Sequence, residues 1–303
     1  MTQAQAPIAI GAQVSQRRDP RRRFTSAPVH IILVVATLAF AVPAIALLVA
    51  SFRTAAATNS SGWWTAFVPP WQFTLENYQY VFSRSGLDQA FLNSVIITIP
   101  ATIIVVLVAA FAAYAFAWMS FPGRQVLFVI VVGLLVVPLQ VTFVPVLTLF
   151  REFQPFGIAI NGTMLAVWLA HTGYGLPFAI YLLRNYFGGL PREVFESAAI
   201  DGAGPSTAFF RLIVPMSVPA LASLVIFQFL WVWNDLLVAL VFLGPIPENH
   251  PLSVKLASLT TSFGGGWQYL TAAAFVSMVV PILVFLGLQR YFVRGITGGA
   301  VKG

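Results

Sequence analysis

A few polar and aromatic side chains interrupt long apolar runs of the sequence, and these residues could do chemistry. Asp235 is the only acidic residue well inside such a run, in WVWNDLL, where it follows Trp233 and Asn234. His171 and Tyr174 lie in a second run, in HTGYGLPF. A charged side chain at the centre of a membrane span costs about 2.5–3.5 kcal/mol on insertion scales, so a charge retained there is a candidate for function.

These residue types could contact a solute that crosses the membrane. Aromatic rings can cover apolar surfaces of a solute, and amide or carboxylate groups can bond its polar groups. The candidate substrate pathway therefore consists of Asp235, Asn234, Trp233, His171 and Tyr174. The alternative is structural: Asp235 and Asn234 would bond to neighbouring helices and hold a bundle together. The residue types alone leave both interpretations open.

The sequence predicts no catalytic site, metal site or ATP site in this chain. A P-loop requires Gly-x4-Gly-Lys-Ser/Thr, whose backbone amides surround a phosphate. The nearest match, AVKG at the end of the chain, has these residues in the wrong order. The motifs HExxH and CxxC are absent, and the chain has three His and no Cys. Any ATP hydrolysis must therefore come from another chain.

The composition is typical of a membrane protein. Of the 303 residues, 59% are hydrophobic and 8% are charged, with a mean hydropathy of +0.87, whereas a soluble domain carries about 25% charged residues. We therefore expect an all-α integral membrane protein. The net charge of +7 does not indicate nucleic-acid binding, because Lys and Arg gather between the apolar runs, as membrane topology requires.

Six windows have the length of about 20 apolar residues that a transmembrane helix needs. They cover residues 29–52, 93–119, 125–150, 163–187, 215–243 and 269–293. The first follows the basic segment RRDPRRR, so a cleavable signal peptide is the alternative. Its apolar run is longer than the roughly 7–15 residues of a signal peptide, which favours an uncleaved first span.

The distribution of Lys and Arg predicts the orientation of these spans. If the N-terminus is cytoplasmic, twelve Lys and Arg fall on the inner side and four on the outer side, which accounts for all sixteen. The positive-inside rule then places both termini and the loop 188–214 in the cytoplasm. The chain would consist of a basic tail (1–27), a transmembrane domain (28–294) that includes this loop, and a short second tail (295–303).

Two segments on the predicted outer side, residues 53–92 and 244–268, are long enough to fold on the surface. The first contains GWWTAFVPPWQFTLENY and the second GPIPENHPL. Trp and Tyr collect at the level of the lipid headgroups, so their plain interpretation is interfacial anchoring. The functional alternative is a docking surface for an external protein.

The loop 188–214 reads as two short helices joined by a turn. Pro191 suits the first turn of a helix, and an apolar stripe at helical spacing follows, ending at the turn signal Asp201-Gly202. Ser206 or Thr207 could cap the second helix. Phe195, Phe209 and Phe210 either fold back onto the ends of the bundle or form a ridge that fits a groove in a cytoplasmic partner.

The same loop resembles the signature of the membrane subunits of binding-protein-dependent importers of the ATP-binding-cassette (ABC) superfamily. That signature reads Glu-Ala-Ala, three residues, Gly, nine residues, Ile-x-Leu-Pro. Here Glu196, Ser197 and Ala198 begin it, Gly202 supplies the glycine, and residues 212–215 (LIVP) close it. The spacing matches throughout, and the three differing positions carry small-for-small or aliphatic exchanges.

Further segments are similar to the maltose-type branch of carbohydrate importers, in particular to its smaller membrane subunit and to alpha-glucoside permeases. They are FLNSVIITIPAT, WNDLLVALVFLG and the ending QRYFVRGITGGAVKG. The resemblance implies the type I ABC importer permease fold of six transmembrane helices with a cytoplasmic coupling helix. It also implies a prokaryotic inner-membrane location.

The resemblance further implies residue roles and partners. A coupling loop, 192–212, would contact an ATPase through Phe195, Glu196, Ala198, Ala199, Asp201, Gly202, Ala203, Phe209 and Pro215. The tail would contact the same partner through Gly295, Gly299, Lys302 and Gly303. The implied partners are a second permease subunit, two ATPase subunits that bind ATP and Mg, an extracytoplasmic solute-binding protein and a sugar. No cofactor is expected in this chain.

Two other function classes compete with this interpretation. An ion-driven secondary transporter should show internal repeats and several intramembrane carboxylates, whereas the sequence has one such carboxylate, Asp235, and no convincing repeat. A membrane enzyme should show converging catalytic side chains, and the sequence shows none. Within the importer class, a polyol or another non-sugar solute remains possible.

Overall fold

The structure is a computed structural model that describes residues 21–259 and 266–298. The chain divides into two compact units, Met1–Leu47 and Leu48–Gly303. The first unit contributes most of helix α1, Arg21–Ser51, whose apolar side chains are exposed along most of its length. Within the described ranges there is no β-strand, and one isolated bridge joins Arg53 to Phe73.

Fourteen α-helices occur in the described residues. They are α1 (Arg21–Ser51), α2 (Ala55–Ser60), α3 (Glu76–Ser83), α4 (Leu87–Trp118), α5 (Arg124–Gly133), α6 (Phe143–Glu152), α7 (Met164–Gly188), α8 (Arg192–Ile200), α9 (Pro205–Ala208), α10 (Val214–Met216), α11 (Val218–Asn234), α12 (Leu237–Leu243), α13 (Leu252–Ser258) and α14 (Trp267–Gly298). Short 3-10 turns connect several of them, and a π-helical turn covers Phe209–Ile213.

Four of these helices, α1, α4, α7 and α14, are each long and apolar enough to cross a membrane. Two bent pairs meet the same criterion: Arg124–Val136 with Leu139–Glu152, bent by 104°, and Pro205–Met216 with Val218–Asn234, bent by 75°. Each of the six predicted windows falls on one of these segments. The expected all-α fold with up to six spans is therefore confirmed.

Proline accounts for the breaks. Val137, which precedes Pro138, has extended backbone angles, because a proline ring disfavours the helical region for the residue before it. Pro215 and Pro219 flank the second bend and donate no backbone N–H to a helix. The window 215–243 is also interrupted after Asn234, since Asp235 is extended and α12 begins at Leu237.

The core lies between α4, α7 and α11. Small residues of α4, among them Ala101, Ala109 and Ala113, are fully buried, and they let the helices approach closely. One buried cluster contains residues of α4, α7 and α11 together with Phe209, so it includes the start of the π-helical turn. A second cluster groups α4, α11 and α14 around Trp233.

The first connection, residues 52–86, is organised by a buried arginine. The Arg53 guanidinium donates to Ser61 O at 2.9 Å, to Ser61 Oγ at 2.6 Å, to Thr65 Oγ1 at 3.1 Å and to Gln72 Oε1 at 2.9 Å. Asn77 Nδ2 donates to the carbonyls of Ser51 and Arg53, at 2.8 Å each. Trp64 and Trp71 remain exposed on the surface of this connection.

The second connection covers residues 244–266, and its described part, residues 244–259, is held by the beginning of α4. Asn93 Nδ2 donates to Glu248 O at 2.6 Å and to His250 O at 3.1 Å. Ser94 Oγ accepts the backbone N–H of Leu252 at 2.8 Å. The polar pair in FLNSVIITIPAT therefore has a structural role.

The loop 188–214 contains the two predicted helices, but both begin elsewhere than predicted. Pro191 lies one residue before α8, and α9 begins at Pro205 without any side-chain cap. Neither Ser206 nor Thr207 caps it, which corrects that prediction. The physical reason is that Pro205 has no N–H to satisfy and fits the first helical turn itself, after an extended Gly204.

Candidate functional site

The turn between α8 and α9 is a Schellman motif centred on Gly202. Gly202 has a φ of +82°, which glycine adopts without strain. The N–H of Gly202 donates to Ala199 O at 3.0 Å, and the N–H of Ala203 donates to Ala198 O at 2.9 Å. These two bonds define the motif, so four of the predicted loop residues act together to set one turn.

Two of the predicted phenylalanines fold back onto α4. The Phe195 ring lies 4.0 Å from the ring of Trp118, and Phe209 stacks on Phe111 at 4.7 Å between ring centroids. Phe209 is 4% exposed. These contacts favour the folded-back interpretation for both rings, whereas Phe210 stays 60% exposed.

Hydrogen bonds reinforce this attachment to α4. Tyr114 donates its hydroxyl to Pro205 O at 3.1 Å, and Trp118 Nε1 donates to Phe187 O at 3.0 Å. The end of α4 thus contacts both sides of the loop. A displacement of the loop would have to move α4 or break these contacts.

The most exposed apolar side chain on the loop is one that sequence reasoning missed. Ile200, the last residue of α8, is 86% exposed. The available signal was its place at the end of the apolar stripe, directly before Asp201-Gly202. A large aliphatic side chain held in the open by a defined turn is the arrangement that a partner surface could cover.

The remaining predicted loop and tail residues are placed as follows. Glu196 lines a cleft of about 290 Å³ together with Trp118, Arg124 and Arg192. Asp201 is the exposed C-cap residue that follows α8, and Pro215 is exposed in α10. Gly295 lies inside α14, whereas Gly299, Lys302 and Gly303 lie outside the described residues.

Asp235 caps a helix. Its Oδ2 accepts the backbone N–H groups of Val238 at 2.9 Å and Ala239 at 3.2 Å, at the start of α12. The same oxygen lies 3.8 Å from Nε2 of the fully buried His171, which is longer than a hydrogen bond. The structural alternative therefore accounts for the carboxylate, although His171 lies beside it.

The other predicted pathway residues do not form one cluster. Asn234 Nδ2 donates to Leu230 O at 2.7 Å in its own helix. Trp233 is 3% exposed, donates to Ser277 O at 3.1 Å and packs between Phe91 and Phe229. The tryptophan that contacts His171 is instead Trp231, at 5.4 Å between ring centroids, because residues two apart face different sides of a helix.

Tyr174 lies at a cleft between α7 and α11. Its hydroxyl oxygen accepts a hydrogen bond from Thr142 at 2.9 Å. The cleft has a volume of about 290 Å³ and is lined by Tyr174, Gly175, Phe178, Phe227, Gln228 and Trp231. Sequence reasoning missed Gln228, and the signal was a single amide within the apolar run IFQFLW. In the described part of the chain, no group of His, Asp or Glu could hold a metal ion.

Comparisons with known proteins agree with this architecture. Residues 105–298 match the family described as "Binding-protein-dependent transport system inner membrane component". The "Osmoprotective compounds uptake permease protein GgtD" of Synechocystis sp. is 54% identical over 278 residues, which cover 91% of this chain and 92% of the relative. The "Alpha-glucoside transport system permease protein AglG" of Rhizobium meliloti is 56% identical over 239 residues, 79% of this chain and 63% of that protein.

Solved structures show the same fold. A chain in the crystal structure of a bacterial ABC transporter involved in the import of alginate matches with a TM-score of 0.75 over 90% of this chain and 98% of that chain. The identity is 20%, so this likeness concerns the fold alone.

Proposed function

The chain belongs to the family of binding-protein-dependent transport system inner membrane components, and on this basis we propose that it is a permease subunit of an ATP-driven sugar importer, with alpha-glucosides as the first candidate substrates. The observation that supports the substrate class is the 56% identity to AglG, named as an alpha-glucoside permease. Members of the family are transport subunits, so this chain itself is not an enzyme.

The proposed assembly contains several other chains. A second permease subunit completes the pathway, two ATPase subunits bind ATP and Mg, and an extracytoplasmic solute-binding protein delivers the sugar. The charge distribution supports an orientation with both termini and the loop 188–214 in the cytoplasm. The connections 52–86 and 244–266 then face outward, where the solute-binding protein docks.

Coupling would run through the loop 188–214. Ile200, exposed beside the turn at Gly202, inserts into a groove of the ATPase subunit. Because Phe195 and Phe209 pack on α4, and because Phe209 begins the π-helical turn that leads towards α11, closure of the ATPase pair moves α4 and α11 together with the loop. Two of the spans that form the core therefore move with each nucleotide cycle.

A second substrate class has a specific observation in its favour. GgtD, named for osmoprotective compounds, is 54% identical and matches over 92% of its own length. An osmoprotective solute is therefore the alternative to an alpha-glucoside. Both alternatives require the same assembly and the same coupling loop.

The test is ATPase activity of the assembled transporter in lipid, with each solute presented on its binding protein. The panel contains the alpha-glucosides sucrose, trehalose and maltose, a polyol, and glycine betaine. We expect an alpha-glucoside to stimulate hydrolysis. Stimulation only by betaine or the polyol would transfer the proposal to osmoprotectants, and uptake that persists without ATP but follows an ion gradient would overturn the importer assignment.

A further inference from the structure

The cleft between α7 and α11 contains an unpaired buried amide. Gln228 is 4% exposed, and among the described residues its Nε2 has no hydrogen-bond partner. A buried donor without an acceptor carries the full desolvation penalty of that group, so such a group inside a membrane helix needs an explanation. Gln228 lines the cleft, so its unpaired amide borders the space that a ligand would occupy.

Gly175 makes room for this amide. A Cβ at position 175 would lie 2.8 Å from Gln228 Oε1 and 3.0 Å from Gln228 Nε2, closer than carbon packs against these atoms. The glycine thus allows the amide to lie directly on the backbone of α7. The neighbouring Tyr174 is fixed by its bond from Thr142, so the polar end of the cleft is well defined.

Aromatic rings form the rest of the wall. Phe178 and Phe227 meet edge to face at 6.5 Å between ring centroids, and Trp231 is 37% exposed. Rings that merely faced lipid would need no amide among them. Aromatic surface combined with one amide donor suits a ligand that has both apolar C–H faces and hydroxyl groups.

The uncharged lining discriminates between solutes. Every described residue that lines the cleft is neutral. A betaine-type osmolyte could place its ammonium group over the rings, but its carboxylate would then be buried without a cation, which is unfavourable. A neutral sugar leaves no such group unpaired. The volume of about 290 Å³ lies just below the range of roughly 300–1,000 Å³ for small-molecule pockets, so the cleft suits one ring at a time.

We propose that this cleft is a sugar-binding subsite of the permease, in which Gln228 donates a hydrogen bond to a hydroxyl and Trp231 and Phe178 contact the faces of one uncharged sugar ring. This inference rests on the proposed importer function and adds that this subunit, rather than only its partner permease, contacts the solute. It also favours the neutral alpha-glucoside over a charged osmoprotectant.

The experiment compares Gln228→Met with the matched control Gln268→Met. Gln268, in α14, is also 4% exposed and has an unpaired amide atom, its Oε1, but it does not line the cleft. Both variants are assembled with the partner subunits in lipid vesicles. Uptake of radiolabelled sugar and ATP hydrolysis are measured together, with the alpha-glucoside that gives the largest stimulation of the wild type.

We expect Gln228→Met to lower the sugar transported per ATP by about 3- to 10-fold, which corresponds to the loss of one hydrogen bond. Stimulation of ATPase activity by the loaded binding protein should remain, and Gln268→Met should transport normally. Trp231→Ala should lower the same ratio, and Gly175→Ala, which displaces the amide, should have an intermediate effect.

The possible outcomes distinguish a failure of the proposed subsite from a failure of the proposed importer function. If no sugar stimulates the wild-type transporter, the sugar importer function itself fails. If the wild type responds but Gln228→Met transports as well as the wild type, the subsite is overturned while the importer function stands. If Gln268→Met loses as much transport as Gln228→Met, the effect of Gln228 is structural and the subsite is likewise overturned.

Discussion

At the residue scale, the proposed contact between the loop 188–214 and an ATPase subunit predicts a binding role for Ile200. An isoleucine that is 86% exposed gains about 1.5–3 kcal/mol when a partner buries it fully. We expect Ile200→Asp to weaken ATPase binding by about 10- to 100-fold, measured by co-purification and by titration of purified ATPase subunit. Phe156→Asp is the control, because Phe156 is fully exposed on the connection between α6 and α7. Equal binding by wild type and Ile200→Asp would contradict the contact.

Substitutions at Gly202 can distinguish the effect of the backbone φ angle on coupling from the effect of side-chain size. Its φ is +82°, and a Cβ built there would meet nothing within 4 Å. A residue with a Cβ would therefore be strained there only by the positive φ, which costs about 1–2 kcal/mol for most residues and less for Asn. We expect coupled transport to decrease in the order Gly, Asn, Ala, Val at unchanged membrane levels, as judged by uptake and immunoblotting. If Ala equalled Gly while only large residues such as Trp failed, side-chain size would be the cause instead.

The residues of the loop show which parts of the site were predictable. The turn at Gly202 followed from the sequence, because its local hydrogen bonds involve neighbours in the chain. The destination of Phe195 and Phe209 did not, since packing on α4 depends on residues about 80 to 100 positions away. The same limit applies to the two tryptophans of WVWNDLL: Trp231 contacts His171 of α7, whereas Trp233 bonds to Ser277 of α14.

At the element scale, hydropathy made the six spans predictable but not the size of their bends. Hydropathy averaged over about 20 residues finds a span, but averaging hides a bend of 104° at Pro138 or an interruption at Asp235. The interruption also gives Asp235 a different role from the one that its place in the sequence suggests. What the sequence presented as a charge inside a helix is a carboxylate that caps α12.

The first connection offers a test of one buried cation. Arg53 is 1% exposed, and its four hydrogen bonds reach three residues spread over the connection. Lys retains the charge but cannot reproduce the planar fork of donors. We expect Arg53→Lys to increase hydrogen exchange of residues 54–75 by about 10-fold or more, since each lost bond contributes about 0.5–1.5 kcal/mol. Arg84→Lys, at an exposed position, should leave the exchange unchanged, and equal exchange in both variants would show that charge alone organises the connection.

At the scale of the whole molecule, the proposed function depends on orientation. ATP is available only in the cytoplasm, so the loop 188–214 must lie there and the connection 52–86 must lie outside. The excess of Lys and Arg on one side predicts this arrangement. The opposite orientation would place Ile200 and Gly202 beyond the reach of an ATPase, whatever the local geometry of the turn.

The absence of cysteine from the sequence makes orientation directly measurable. Ser206→Cys in the loop 188–214 and Ser60→Cys in the first connection are nearly isosteric changes at exposed positions, so each introduces a single reactive thiol into a background with none. We expect a membrane-impermeant maleimide added to intact cells to label Ser60→Cys, and to label Ser206→Cys only after the membrane is opened. The unsubstituted chain is the control for background labelling. Labelling of Ser206→Cys in intact cells would reverse the topology and, because the coupling loop would then face away from ATP, would overturn the importer mechanism as a whole.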